Sequence, residues 1–513
     1  MSLLPLASRP DALTPSDWRH AKAALETRRH FLGRTTQSFG AAALAGLIGD
    51  SLLKRSAAAE PATPAAPAAP VLDWARGQPG TLAAPHFPGK AKRVIYIHMA
   101  GAPPHLDLFD YKPLLNTWNQ KEAPESLIPK RAAFLTGKPK ILGTPFQFEQ
   151  TGQNGLWLSE LLPHFKTIVD DVCVIRSLCT DQFNHAPAQL LMHTGFPVMG
   201  RPSMGAWTTY GLGSENANLP AFIVLLSGGK APDGGVASYG SGFLPSVYQG
   251  VQCRSKGDPV LYLSDPKGMS RDSRRQSLDA LAKLNRIQHA SVGDPETLSR
   301  IAQYEMAFRM QASVPEVMDI KEESKETLEA YGATPGQASF ANNCLLARKL
   351  CEAGVRYIQL FDWGWDVHGT GPGDDLIHKL PEKCRETDKP VAALIKDLKQ
   401  RGLLEDTVVV WSGEFGRTAM NEARNGSTHL GRDHYPSCFT VWVAGGGFKS
   451  GYVHGVTNEW GTEITDGKMD TYDLQATILA SMGVDHTRLT HRFQGLDFRL
   501  TNFRGNINKT LLS

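Results

Sequence analysis

Acidic, imidazole and guanidinium side chains recur in four short stretches rich in turn residues. The first, Met99–Asp110, reads MAGAPPHLDLFD and carries His105, Asp107 and Asp110 among glycine and prolines. The second is Asp366-Val367-His368, following FDWGW. If the chain stays extended there, the two side chains share a face, because strand side chains alternate. The third, SGEFGRT, holds Glu414 and Arg417, and the fourth, GRDHYP, holds Arg432, Asp433 and His434. Carboxylate mixed with imidazole is a donor set for Zn, Mn or Fe. Asp107, Asp366, His368, Glu414 and His434 are therefore the expected ligands of a divalent metal. A guanidinium can give two hydrogen bonds to an anionic oxygen. Arg417 is accordingly expected at the reacting centre, with Arg432, His105 and Asp433 around a bound anionic group. Taken singly, each residue has a plainer reading. A histidine beside a turn more often caps or is already satisfied, and an Asp-His pair is often only a hydrogen bond. The recurrence across separated stretches is what favours one shared site.

Such a site needs a scaffold that brings loop ends together. Short β-branched runs precede three of the stretches: Arg93–His98, Val355–Leu360 and Thr407–Trp411. Val172–Ile175 and Ala221–Leu226 are two more. Helical patterns lie between them. Val391, Leu394, Ile395 and Leu398 fall on one helix face, with Pro390 before and Gly402 after as start and stop signals. Leu278, Leu281, Leu284 and Ile287 repeat every third residue, and Asp294-Pro295 reads as an N-cap with a first-turn proline. Strands alternating with helices predict an α/β fold, a mainly parallel β-sheet sandwiched by helices, with a helical insertion at about 272–350. Active sites of such folds collect at the carboxyl ends of the strands, which is where three of the polar stretches stand.

Composition narrows the function. With 513 residues, the chain has room for one large domain or two medium ones. A hydrophobic share of 41% with 20% charged residues excludes wholesale disorder. The formal charge of +3 lacks the basic bias of a general nucleic-acid binder, so no nucleic-acid partner is expected. Seven cysteines without a CxxC pair exclude a disulfide scaffold and a zinc ribbon. The first 59 residues read as a twin-arginine signal region: Arg28-Arg29, then the Ala/Gly-rich run Phe39–Ile48, then Ala57-Ala58-Ala59. That run is about half of the ~20 residues a bilayer span needs, so no permanent membrane span is expected. The twin-arginine translocase is then a transient partner, and the mature chain is periplasmic or belongs to the cell envelope. Residues 60–92 form an Ala/Pro-rich linker, 93–506 the body and 507–513 a tail.

The body, from about Arg93 to Asn506, resembles the bacterial family called domain of unknown function 1501, grouped with sulfatases and alkaline phosphatases. HMAGAPPHLDLFDYKP, LLARKLCEAGVRYIQL followed by WDVHG, SGEFGRT, GRDHYP and AGGGFKSGYVHGVT carry the resemblance. It implies an alkaline phosphatase/sulfatase-like fold and metal-dependent hydrolysis of phosphate or sulfate esters, on a small molecule or an extracellular glycan. Asp406–Gly416 resembles the sulfatase strand ending in Ser-Asp-His-Gly or Ser-Asp-Asn-Gly. Glu414 falls on the metal-binding aspartate and Phe415 on the His or Asn. His185-Ala186-Pro187-Ala188-Gln189, with Thr194-Gly195 beyond, resembles the signature Cys/Ser-x-Pro-Ser-Arg. His185 occupies the nucleophile position and Gln189 the arginine position. The paired aspartates expected after the first strand are replaced by Met99, Ala100 and Gly101. A formylglycine enzyme needs Cys or Ser, and a phosphatase needs a hydroxyl. His185 is thus a ligand beside an activated water, a transient nucleophile, or the remnant of a site that binds without turnover. The alternative to a hydrolase is a non-catalytic envelope protein that binds sulfated or phosphorylated glycans. Asp473–Leu479 with Gly483 resembles the helix that closes many phosphatase-like domains.

Overall fold

The apolar runs pair into one sheet whose two faces are both covered. The computed structural model describes residues 80–513 except 130–133, 136, 261–263, 266–267 and 423. The twin-arginine region and linker residues 60–79 lie outside the described residues. The strands that matter for the site are β1 (Arg93–Ala100), β2 (Lys140–Ile141), β3 (Val172–Cys179), β4 (Phe222–Ser227), β5 (Val251–Cys253), β6 (Tyr357–Trp363), β7 (Thr407–Ser412), β8 (Gly416–Asn421), β9 (Arg432–Tyr435), β10 (Phe439–Ala444), β11 (Tyr452–His454) and β12 (Met469–Asp470). Among the described residues the central sheet has nine strands in the order β11-β3-β10-β7-β1-β6-β4-β5, with β12 also pairing β3. β1 lies at its middle, parallel to β6 (Val94 opposite Tyr357) and to β7 (Val94 opposite Val408). Only β10 runs antiparallel, between β7 and β3. The sheet is therefore mixed and mostly parallel, with helices on both faces.

The burial of β1 explains the layering. Every residue after Arg93 is buried, and alternate side chains enter opposite layers. Ile95 and Ile97 join the core under helices α6 (Phe340–Glu352) and α7 (Lys379–Gln400), through Leu345, Leu394 and Leu398. Val94 and Tyr96 join the other core, with Trp207 of α2 (Met204–Leu212) and Ile478 of α8 (Thr471–Ser481). Between β3 and α2 stands α1 (His185–Thr194). The region around 272–350 contains α3 (Arg271–Val292), α4 (Pro295–Met318), α5 (Lys325–Tyr331) and most of α6. As expected, Asp294 caps α4, accepting from the Glu296 N–H ahead of Pro295.

Two helix expectations change. α7 does not begin at Pro390; it starts at Lys379 and carries the proline inside. Its buried face already runs from Leu380 through Cys384 to Val391, so packing outweighs the hydrogen bond the proline removes. In α3 the triplet repeat does not make one buried face. Leu278 is buried, whereas Leu281, Leu284 and Ile287 are exposed. Three residues advance a helix by less than one turn, so a strict triplet drifts around its surface. All seven cysteines are free. Among the described residues no helix is long and apolar enough to cross a membrane.

Candidate metal centre

A second, small sheet seats the polar residues beside the edge where β1, β6 and β7 end. Its order is β9-β8-β2, and Arg417 of β8 lies opposite His434 of β9. Asp366 and His368 follow β6 directly, and His185 opens α1. Four side chains from these places meet. Asp366 Oδ1 lies 3.2 Å from His185 Nε2, 2.8 Å from His368 Nε2 and 3.5 Å from His434 Nε2. The Nε2 atoms of His368 and His434 are 3.1 Å apart. One ligand atom from each of the four lies within 4.8 Å of all the others. Asp366 is the open side of the group, with 28% of its side chain exposed against 7% for His368.

Each imidazole is fixed through its other nitrogen. His434 Nδ1 donates to the carbonyl of Phe183 at 2.7 Å. A carbonyl only accepts, so Nδ1 carries the proton and Nε2 presents a lone pair when the ring is neutral. His185 Nδ1 meets Glu414 Oε1 at 2.6 Å, and His368 Nδ1 meets Glu422 Oε2. The rings are also packed. Phe415 lies against His185 (4.9 Å between centroids) and His434 (4.5 Å), and Phe134 stands edge-on to His368 at 5.1 Å.

Charge follows this wiring. Burial would lift the Asp366 carboxyl, but Arg417 and the three histidines hold it far below the carboxylate range. Burial would also lift Glu414, but its bonds to His185 and His98 hold it well below its ordinary value. Burial opposes charge on His185, yet Asp366 and Glu414 raise it to about 9. His368 is raised in the same way, against burial, by Asp366 and Glu422. His434 goes down to about 4, through burial first, with Arg417 and His185 adding repulsion. The acids thus already draw positive charge to the spot where the ligand atoms converge. Three imidazole nitrogens and a carboxylate oxygen suit Zn, Mn or Fe. His185 Nε2 is buried and faces Asp366 Oδ1, and the Nδ1 atom of each of the three rings is anchored as in metal-binding histidines. These residues fit a divalent metal. Two further groups could hold one: Asp375 with His378 and His429, and His368 with Glu422 and Asp433.

The structure brings His185, Asp366, His368 and His434 together, with Arg417 in direct contact. Arg417 is fully buried and each of its three guanidinium nitrogens donates, to Asp366 and to the carbonyls of Gly101, Ala102 and Arg432. Glu414 lies one layer back. Its oxygens accept from the Gly101 N–H (2.9 Å), the Ala102 N–H (3.1 Å) and Gln189 Nε2 (3.0 Å). Asp107 and Arg432 are not in the group. They pair with each other at 2.7 and 3.0 Å, both fully buried, and Arg432 also donates to the carbonyls of Leu142 and Thr418. His105 is buried, its Nδ1 3.5 Å from the Arg417 N–H. Asp433 accepts from the backbone N–H groups of Phe134 (2.7 Å) and Leu135 (2.9 Å), so it pins that segment over the site. Sequence reasoning missed His98 and Glu422. His98 lies 3.3 Å from Glu414 Oε2, and its only signal is a polar residue inside the apolar run of β1.

A mostly parallel sheet with helices on both faces and a candidate metal centre beside its strand ends defines an α/β protein. The chain belongs to the family described as Protein of unknown function (DUF1501), whose model matches residues 91–511. The chain is also similar to several solved structures. The PsFucS1 sulfatase from Pseudoalteromonas sp. is 12% identical, with 82% of this chain and 72% of that one covered and a TM-score of 0.36. A protein in the alkaline phosphatase superfamily from Vibrio parahaemolyticus is 9% identical, with 80% and 69% covered and a TM-score of 0.32. The phosphonate monoester hydrolase SpPMH from Silicibacter pomeroyi is 14% identical, with 63% and 68% covered and a TM-score of 0.27. No curated protein matches the chain.

Proposed function

We propose that this protein is an exported, metal-dependent hydrolase of phosphate or sulfate esters, borne by small molecules or an extracellular polysaccharide. The observation that carries this reading is the convergence of three anchored imidazoles on Asp366 beside the strand ends. His185, Asp366, His368 and His434 would hold the metal. When bound, the metal supplies Lewis-acid polarisation of the ester oxygen and lowers the pKa of a coordinated water. Glu414, Glu422 and the Phe183 carbonyl hold the three rings through Nδ1, so that each Nε2 faces the position the metal would take. Arg417 fixes Asp366 and ties it to the loop after β1. Phe134 and Phe415 exclude water on the ring faces, which strengthens every charge interaction inside. α1 begins at His185, so the positive end of its dipole points toward the anionic group of a substrate. The proposed export address is the twin-arginine region of residues 1–59.

A second reading, binding such esters without turnover, is favoured by one feature. His185 stands where the resembled enzymes carry a Cys or Ser, and the Thr194 hydroxyl, at the far end of α1, is committed to the Leu190 carbonyl at 2.8 Å. Elemental analysis of the chain purified without chelators, with a panel of aryl phosphates and sulfates, separates the two. Near-stoichiometric metal and turnover, both lost in Asp366→Ala and His434→Ala, are expected. Metal content and turnover unchanged in those variants would overturn the hydrolase reading.

A further inference from the structure

A cleft of about 1230 Å³ opens along the same edge of the sheet, at the carboxyl ends of β4, β5 and β6. Its charge is one-sided. Lys230, Arg254, Lys256, Arg385 and Lys389 line it, against two acids, Asp362 and Glu386. Both acids are already claimed by the buried ammonium of Lys383, each at 2.7 Å. Asp362 also accepts from the Ser227 hydroxyl at 2.9 Å and the Trp365 indole at 3.0 Å. Lys230 is shared with Asp233 at 3.2 Å, and Arg254 donates to the carbonyl of Asp258. Among the described residues, no ion pair engages Lys256, Arg385 or Lys389. Unneutralised cations around a concave surface raise the local concentration of anions.

The cleft is tied to the metal centre by one loop. Gly228 to Ala231 line the cleft, and a few residues on the same loop grips Gln189: Asp233 accepts from its amide at 3.3 Å and the Gly234 N–H donates to it at 3.0 Å. Gln189 in turn holds Glu414, the residue behind His185. On the other side, Asp362 lines the cleft at the end of the strand that leads into Asp366. Cleft and centre thus share the end of β6 and the loop that follows β4.

Size and lining select the ligand. Small-ligand pockets run to about 1,000 Å³, and this cleft exceeds that, so it has room for several linked units. Its aromatic rings, Tyr239, Tyr331 and Phe340, are at most 6% exposed, so they offer no face on which bases could stack. That favours a saccharide over a single-stranded nucleic acid. We propose that this cleft is a subsite for the anionic groups of a sulfated or phosphorylated oligosaccharide, whose neighbouring ester reaches the metal centre. The proposal rests on the hydrolase reading for the role of the bound chain, but not for the binding itself.

The test uses the full chain and the triple variant Lys256→Glu, Arg385→Glu, Lys389→Glu, all at solvent-accessible positions, with folding checked by thermal melting. The probes are a heparin-derived octasaccharide, its desulfated form, a phosphomannan fragment and single-stranded DNA. Expected are binding of the sulfated probe, the phosphorylated probe or both, a Kd that rises with salt, roughly tenfold weakening or more in the triple variant, and no binding of the desulfated form. His434→Ala keeps this binding. Turnover of a small aryl ester is unchanged in the triple variant, whereas KM for an anionic oligosaccharide rises. Saccharide binding that survives the triple substitution, equal binding of the desulfated form, or tighter binding of DNA overturns the subsite. Binding confined to the cleft without hydrolysis of any ester keeps the subsite and removes the hydrolase. Metal-dependent turnover with saccharide binding indifferent to the cleft does the reverse.

Discussion

A histidine serves a metal only as well as the acceptor behind it positions the ring. Glu414 is such an acceptor, and it is held in turn by two backbone N–H groups and Gln189. Glu414→Gln keeps the shape but removes the charge. Metal affinity should fall about 10- to 100-fold, as for other lost supporting groups, read by competition with a chelating dye. An unaltered affinity would show that Glu414 does not support the centre. The Asp107–Arg432 pair makes a different prediction. Asp107→Ala leaves a fully buried guanidinium without its carboxylate, at a cost of about 3–5 kcal/mol. Urea unfolding measures this, and a loss well under 1 kcal/mol would count against a structural role. The residue types at these places were legible from their positions after strands and turns. Their partners were not. Whether Asp107 turns toward His434 or toward Arg432 depends on the path of the loop between Gly101 and Asp110, which spacing alone does not encode. His98 was hidden for a simpler reason, being one polar residue in a strand that otherwise reads as apolar.

At the level of elements, the site depends on two loops that touch through glycine. A Cβ at Gly431 would lie 2.0 Å from the carbonyl carbon of His368 and 2.2 Å from the nitrogen of Gly369, all backbone. Gly431→Ala must push the His368 loop away from the strand carrying His434. The expected outcome is a centre that no longer retains metal although every ligand is intact, with a lowered Tm; elemental analysis and melting report the two effects. A variant that melts and loads metal like the parent would mean that the loops can yield at no cost to the ligands. The elements themselves were largely readable. Five apolar runs gave β1, β3, β4, β6 and β7, and Asp294-Pro295 gave the start of α4. The strand Phe439–Ala444 was missed, and with it the one antiparallel member, because a short buried run carries no sign of its direction. The early start of α7 escaped for a related reason: Pro390 is a local stop signal that the buried face on both sides overrides.

The whole molecule adds two dependences on its surroundings. His105 is buried, its Nε2 has no hydrogen-bond partner, and burial lowers its pKa from 6.5 to about 4. The unfolded chain takes up this proton below pH 6.5, whereas the folded chain does not until about pH 4. Its contribution to stability is therefore complete above pH 6.5 and is lost as the pH falls toward 4, in total about 3 kcal/mol. Urea midpoints measured with chelator present between pH 7 and 4.5 should drop less steeply in His105→Asn than in the parent; parallel slopes would contradict this. Metal acts in the opposite sense. A cation at 100 times its Kd adds about 2.7 kcal/mol if it binds only the folded chain, so chelation should lower the Tm and added metal restore it.

The order of the ligands along the chain sets a clock. His185, Asp366, His368 and His434 leave the ribosome in that sequence, and the strands that align them lie among the same distant segments. No nascent fragment short of His434 contains the full set, so a cation held by all four could be bound only once most of the chain has been made, and could not guide the folding of the segments that precede it.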